Sequence, residues 1–387
     1  MSVNGRQTAQ KEGRAMQTRE SELGLDDPVN QAILSVSEDQ LQGFQPDPIG
    51  EISRLSGVPA DLVIGRLRLL LLAGVIRRVR QTLLTHNLAE GGLVAWLIPE
   101  EALDDAFNFM SREDPFSGHV VERTAQQRGP GTDYRLWTTL KVPREYSPEK
   151  HCGFLSSRVG ALDYRLMPAR AVFVLSVGHL RRRNIQTGTR TDSPPEVMFP
   201  QQAELDDLEW RVLLALKREF RPDEIVRDIW QARAREAGLT PDLFYEVVER
   251  LGARNLMGRF STFLQHTGPS AAGEAITRFN ALLQWAVPAG TELDAGREIG
   301  RHPVLTHCYW RDAGPDFGNL NIMGVAHGAS REAVLAHKAA IDRNVAAAGI
   351  TITYSNVLWG DRAEIKPSEI SAEAYRRWCS DVGLDLT

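Results

Sequence analysis

Apolar residues recur at helical spacing over Asp26–Val36, where Val29, Ile33 and Leu34 fall on one face. A Gly/Pro-rich break at Gly43–Pro48 follows, then a short helical stretch at Ile49–Leu55. Ser56-Gly57-Val58-Pro59 reads as a turn and Asp61–Ala73 as a longer amphipathic helix. Pro59 before that helix and Gly74 after it match the residue preferences of helix starts and stops. A β-prone stretch comes next. Helix, helix, Gly-containing turn, helix and strand is the order of a winged helix-turn-helix.

The period changes near Gly92. Leu93–Ile98 alternates as a strand, and Glu100–Met110 places Leu103, Ala106, Phe107 and Met110 on one helical face. His119–Arg123 and Tyr134–Val142 predict two strands joined by a Gly-rich loop, Ser147–Val159 a helix, and Ala171–Val177 a last strand. The order β-α-β-β-α-β is ferredoxin-like.

Arg181–Pro200 is rich in Arg, Thr, Ser and Pro without periodicity and reads as a linker. The pattern then restarts. Leu205–Lys217 is amphipathic, Pro241–Leu251 mirrors the first long helix and Leu256–Phe263 mirrors the wing. Strands are expected at Ala281–Val287, His307–Arg311, Asn319–Ala326 and Thr351–Leu358, with a helix at Arg331–Ala348. Trp96 precedes Leu-Ile-Pro and Trp285 precedes Ala-Val-Pro; His119 lies 23 residues beyond the first Trp and His307 lies 22 beyond the second. An Arg follows each His by four places, and a further His (His86, His266) precedes each Trp. These coincidences mark a duplication. The fold class expected is α+β, a tandem repeat of winged helix-turn-helix plus ferredoxin-like domain. Its boundaries run 1–25 (disordered arm), 26–85 and 86–180 for the first module, 181–203 (linker), 204–263 and 264–362 for the second, and 363–387 (helix or tail).

Composition narrows the function classes. With 387 residues, two to four domains are expected. No apolar run reaches the roughly 18–20 residues that cross a bilayer, so no membrane partner is expected. Three cysteines, Cys152, Cys308 and Cys379, have no paired spacing; this argues against a zinc site or disulfide framework and fits a reducing cytoplasm. Net charge is −5, unlike a dedicated nucleic-acid binder. Arg66 and Arg68 on the first recognition-like helix are too few to demonstrate DNA binding. The second such helix carries Asp242, Glu246 and Glu249, which would repel phosphate.

On a strand, His119, Val121 and Arg123 share one face, as do His307, Tyr309 and Arg311. A guanidinium beside a group titrating near neutrality suits holding a carboxylate and delivering a proton. The competing reading of each pair is a His satisfied by backbone beside a surface Arg, and its recurrence in both halves weighs against that. His86 and His266 follow the wing strands, with Arg78, Arg80 and Arg259 nearby. Trp96 and Trp285 suit core packing or stacking on a flat ligand.

At these residues the chain resembles the siroheme decarboxylases, relatives of the Lrp/AsnC regulators, in the fused two-half form associated with heme d1 biosynthesis. The resemblance rests on Arg77-Arg78-Val79, His119-Val-Val-Glu-Arg123 and Tyr134-Arg-Leu-Trp-Thr138 in the first half. In the second it rests on Gly258-Arg-Phe260, His266, His307-Cys-Tyr-Trp-Arg311, Gly318-Asn-Leu and Ala326-His-Gly328. It implies a carboxy-lyase that removes two acetate carboxyls of siroheme, an iron tetrapyrrole substrate, with no cofactor required. It further implies His119, His307, His86 and His266 as catalytic groups, with His266 or His86 as iron ligand. Arg78, Arg80, Arg123, Arg259, Arg311, Trp96, Trp285 and Tyr309 would bind substrate. The alternatives are an Lrp/AsnC-like transcriptional regulator and a heme-binding protein without activity. Whether the halves pair within one chain or across a homodimer stays open.

Overall fold

The structure, a computed structural model, describes residues 22–175, 178–182, 185–265 and 278–386. The arm expected at 1–25 lies almost wholly outside the described residues, as do His266 and the segment that follows it.

Helices α1 (Pro28–Ser37), α2 (Pro48–Ser56) and α3 (Ala60–Leu72) precede strand β1 (Ile76–Leu83). Asp27 caps α1 by accepting from the amides of Val29 and Asn30, and Asp47 caps α2 by accepting from Gly50. The next block holds β2 (Glu90–Leu97), α4 (Leu103–Arg112), β3 (Ser117–Ala125), β4 (Leu136–Val142), α5 (Pro148–Val159), β5 (Asp163–Met167) and β6 (Ala171–Leu175). After a short helix α6 (His179–Arg182) come α7 (Asp207–Lys217), α8 (Gln231–Glu236), α9 (Pro241–Ala253) and β7 (Met257–Leu264). The last block is β8 (Phe279–Ala286), α9's successor α10 (Glu292–Gly300), β9 (Leu305–Trp310), β10 (Ile322–Gly328), α11 (Arg331–Ala347), β11 (Tyr354–Ile365) and α12 (Ala372–Val382). Mixed helix and sheet is what the sequence predicts.

In space the halves are interleaved. The chain divides into two compact units, one holding residues 1–84, 177–183 and 205–277, the other 85–176, 184–204 and 278–387. In the first unit, β1 and β7 pair antiparallel, with Arg80 opposite Ser261. The two wings therefore complete each other, whereas the sequence pattern suggests one wing per module. The segment expected as linker divides between the units. In the first unit, Asp39 and Glu38 accept from the Gly178 and Leu180 amides. In the second, Met198 exchanges backbone hydrogen bonds with Val172, and the Ala203 amide donates to Asn87.

Among the described residues, the second unit carries one nine-stranded sheet, in the order β5-β2-β4-β3-β11-β8-β10-β9-β6. Each half supplies four strands in ferredoxin-like order, and the fourth strand of the first half is β5, in place of the strand expected at Ala171–Val177. β6, expected to close the first half's sheet, pairs with β9 of the second. β11 likewise pairs with β8 of its own half and then runs on to pair with β3 of the first. Only Pro168-Ala169-Arg170 separates β5 from β6, so the two ends of the sheet are joined by three residues.

Alternation along the strands gives the sheet a helix-covered face and an opposite face. On the covered face, Val94, Trp96, Val120, Leu136 and Leu140 pack under α4, α5 and α12. The second half buries Ala281, Leu283, Trp285, Cys308 and Ile322 with α10 and α11. The opposite face buries Ala95, Trp137, Leu282, Met323 and Leu358 from both halves in one cluster. The chain's last helix, α12, serves the first half: Tyr375 and Trp378 surround Phe116 and His151. No helix among the described residues is long and apolar enough to cross a membrane.

Candidate functional site

The candidate residues sort by sheet face. His119, Val121 and Arg123 on β3, and His307, Tyr309 and Arg311 on and just beyond β9, alternate with core residues Val120 and Cys308. Their side chains thus share the face opposite the covering helices, as the sequence spacing predicts. His119 is exposed and His307 half-buried. Trp96 and Trp285 take the other parity. Both are fully buried under the helices, where Trp96 donates through Nε1 to Thr138 Oγ1 (3.0 Å) and Trp285 to Asp342 Oδ1 (2.7 Å). The expectation that they bind substrate is corrected: they are core residues whose polar edges are satisfied inside the protein.

The register exposes an internal equivalence. Trp96 pairs with Leu136 and Trp285 with Ile322, so stepping along each ladder matches Trp137 with Met323 and Lys141 with His327. The neighbouring ladders match His119 with His307 and Arg123 with Arg311. The two arginines behave alike. The Arg123 amide donates to the Arg135 carbonyl and the Arg311 amide to that of Asn321. Each guanidinium then crosses to the other half: Arg123 Nη1 donates to the Leu358 carbonyl, and Arg311 Nη1 to the Met167 carbonyl. Both are buried, at 7% and 8% exposure. Burial lowers both pKa values, that of Arg123 to about 10, which leaves Arg123 cationic at neutral pH. Arg311 also lies over the Tyr309 ring, 4.5 Å from its centroid, and Tyr309 stacks with His307 at 6.1 Å.

His86 sits on a short turn, Thr85–Asn87, at the entry to β2. Burial, then the charges of Lys141 and Arg311, hold its pKa down to about 4, so the imidazole is neutral at physiological pH. Lys141 escapes a motif-based reading. Its signal is parity alone, because it shares a face with Trp137 on β4 while Leu140 and Val142 go to the helical core. Its pKa is pulled down to about 7, chiefly by burial and then by Arg311. Among the described residues Lys141 and Arg311 form no ion pair, and no carboxylate offsets either charge. His86, Lys141 and Arg311 are one electropositive cluster drawn from both halves.

The remaining arginines belong to the other unit. Arg78, Arg80 and Arg259 gather on the paired wing strands, as expected from their positions. Arg78 pairs with Glu219 (3.2 Å), and Arg80 lies 5.3 Å from the Phe263 ring centroid. Burial and the neighbouring charges of Arg78, Arg259 and Arg77 lower the Arg80 pKa to about 10. On the recognition-like helices, Arg66 is engaged by Glu22 and Asp27, and Arg68 donates to the Ile225 carbonyl. Asp242, Glu246 and Glu249 are all exposed. Among the described residues no group of His, Cys, Asp and Glu is arranged to hold a metal ion.

The model of the AsnC-like ligand binding domain matches this chain twice, at residues 88–173 and 277–357. The siroheme decarboxylase of Hydrogenobacter thermophilus is 22% identical over 345 residues, covering 87% of this chain and 93% of that protein. The chain thus carries two AsnC-like ligand binding domains and is similar to siroheme decarboxylases over most of its length. A siroheme decarboxylase NirDL subunit from Paracoccus pantotrophus is 23% identical over 298 residues, covering 75% of this chain and 84% of the relative. Among solved structures, the siroheme decarboxylase NirDL superposes with a TM-score of 0.65 at 19% identity, covering 91% of this chain and 97% of that one. The same enzyme in co-complex with an iron-uroporphyrin III analogue gives a TM-score of 0.63 at 20% identity, covering 92% and 98%. The two matched segments, 88–173 and 277–357, coincide with the duplication seen in the ladder registers.

Proposed function

We propose that the chain is a carboxy-lyase that removes two acetate carboxyl groups from siroheme, giving didecarboxysiroheme for heme d1 or an alternative heme. The observation that carries this reading is one sheet face that bears His119, Arg123, Lys141, His307 and Arg311, with the neutral His86 beside it in the field of Lys141 and Arg311. Such a face suits a flat ring bearing many carboxylates. A relative crystallised with an iron-uroporphyrin analogue supports the same class of ligand.

The chemistry is balanced without redox change. The bond between an acetate CH2 and its carboxyl carbon breaks, carbon dioxide leaves, and the electron pair is held by the electron-poor macrocycle. A proton then reaches the CH2 carbon to leave a methyl group. The protein orients the ring, strips water from the scissile carboxylate and supplies that proton. Arg123 and Arg311 are assigned to carboxylates. His119 and His307 are assigned to proton delivery, or to orienting the scissile carboxylate. His86, being neutral, keeps a lone pair free and suits the iron of the substrate. The reading requires no organic cofactor.

Anaerobic incubation of the purified chain with siroheme tests it. Mass loss of one or two carbon dioxides is expected. Binding with a spectral shift but no mass loss would instead make the protein a tetrapyrrole binder. No binding, with salt-dependent capture of a specific duplex, would make it a regulator.

A further inference from the structure

We propose that Lys141 is a carboxylate-binding residue that makes the two register-equivalent positions of the sheet unequal, so that the Lys141 side holds the ring more tightly than the His327 side. This rests on the tetrapyrrole reading given above. The duplicated sheet offers the same framework twice: a strand position on β4 or β10, and an arginine arriving from the other half. On one side these are Lys141 and Arg311; on the other, His327 and Arg123. The partners across the ladder differ as well. Lys141 stands opposite Gly91 and His327 opposite Asn280. Gly91 has φ +128, and a Cβ there would collide with the Leu140 carbonyl, so that position carries no side chain beside the lysine. Asn280 instead accepts from Arg123 Nη1 at 3.2 Å, engaging the equivalent arginine inside the protein. The charged and titratable groups bearing on Lys141 are Arg311 and His86, and neither neutralises it. An amine kept with no counter-ion beside a second cation is costly to fold around and is relieved when an anion arrives.

That cost separates a ligand-binding role from a packing role. Replacing half-buried Lys141 with Met removes a charge that Arg311 disfavours, so the variant should melt at or above the temperature of the natural chain. A packing residue would lose stability instead. The probe is iron-uroporphyrin, titrated into the full chain and followed by visible absorption at pH 6.5. Lys141→Met is expected to weaken binding about tenfold or more, while Lys141→Arg stays within about threefold, the loss expected for one charge-assisted contact. His327→Met should stay within about threefold of the natural chain. Unchanged affinity in Lys141→Met, or a larger loss in His327→Met, would overturn the proposal while leaving the tetrapyrrole reading intact. A natural chain that neither binds the ring nor decarboxylates siroheme overturns that reading instead.

Discussion

Arg311 donates through Nη1 to the main-chain carbonyl of Met167, a residue that belongs to the other half of the duplicated chain. The bond fixes one edge of a buried guanidinium while Tyr309 supports its face. No carboxylate among the described residues pairs with it, and on the proposed function its remaining donors meet a carboxylate of the ring.

Arg311→Ala should therefore weaken iron-uroporphyrin binding by at least about thirtyfold, the scale for losing one partner of a buried, charge-assisted contact. Arg311→Lys should recover only part of it, since a point charge lacks the planar fork. Dissociation constants from visible titrations check both. Equal affinities in all three proteins would remove Arg311 from the site.

His86 links stability to acidity. Its pKa is lowered to about 4 in the fold, against an ordinary value near 6.5, so below 6.5 the unfolded chain binds a proton that the native chain refuses. Stability contributed by this group is complete above about pH 6.5 and is lost progressively toward pH 4. Urea midpoints measured at pH 7 and pH 5 should fall less in His86→Phe than in the natural chain. Identical slopes would mean the imidazole titrates normally.

Trp96 and Trp285 provide the opposite control. Trp96→Phe loses a buried hydrogen bond to Thr138 and part of a core ring, which should cost about 1–3 kcal/mol. Because the ring points under the helices, affinity of the folded variant for iron-uroporphyrin should change less than about twofold. Denaturant unfolding and titration separate the two effects. A variant of normal stability but poor affinity would return Trp96 to the substrate site.

The C-terminal helix belongs to the first half's core. His151 stacks on Trp378 at 4.9 Å, its Nδ1 lies 3.2 Å from the Tyr375 hydroxyl, and its Nε2 lies 3.4 Å from Asp114 Oδ2. Trp378→Ala should cost about 3–5 kcal/mol, as expected for a large aromatic removed from a packed site. The loss would appear in the urea midpoint. A change under about 1 kcal/mol would show that α12 is dispensable to that core.

The sequence carried much of this by period and repetition. The helices at 28–37, 60–72 and 241–253 follow from apolar spacing and end signals, and the His-to-Arg spacing placed four site residues on one face. Strand partnership was not legible in the same way. Alternation assigns a residue to a face and leaves the neighbouring strand undetermined, so β6 reads as the end of its own half. β5 escapes the sequence reading because its polar-apolar alternation spans only five residues and the more apolar Ala171–Leu175 run follows three residues later. Both tryptophans illustrate the same limit, since a ring expected mid-strand fits either face until the parity of its neighbours is known. Lys141 was invisible for a further reason: a lone lysine normally signals solvent, and only the folded surroundings make it conspicuous.

The handover of β6 to the second half, mirrored by the run of β11 onto the first, gives the duplication a mechanical meaning. Each repeat lends its terminal strand to its twin, so a polypeptide severed between the repeats would yield fragments with unfilled sheet edges that recover only by recombining. Drift in one repeat is consequently felt by the other. Fusion secures a fixed one-to-one pairing, which leaves the twins free to diverge at single positions such as Lys141 and His327 without losing their common scaffold.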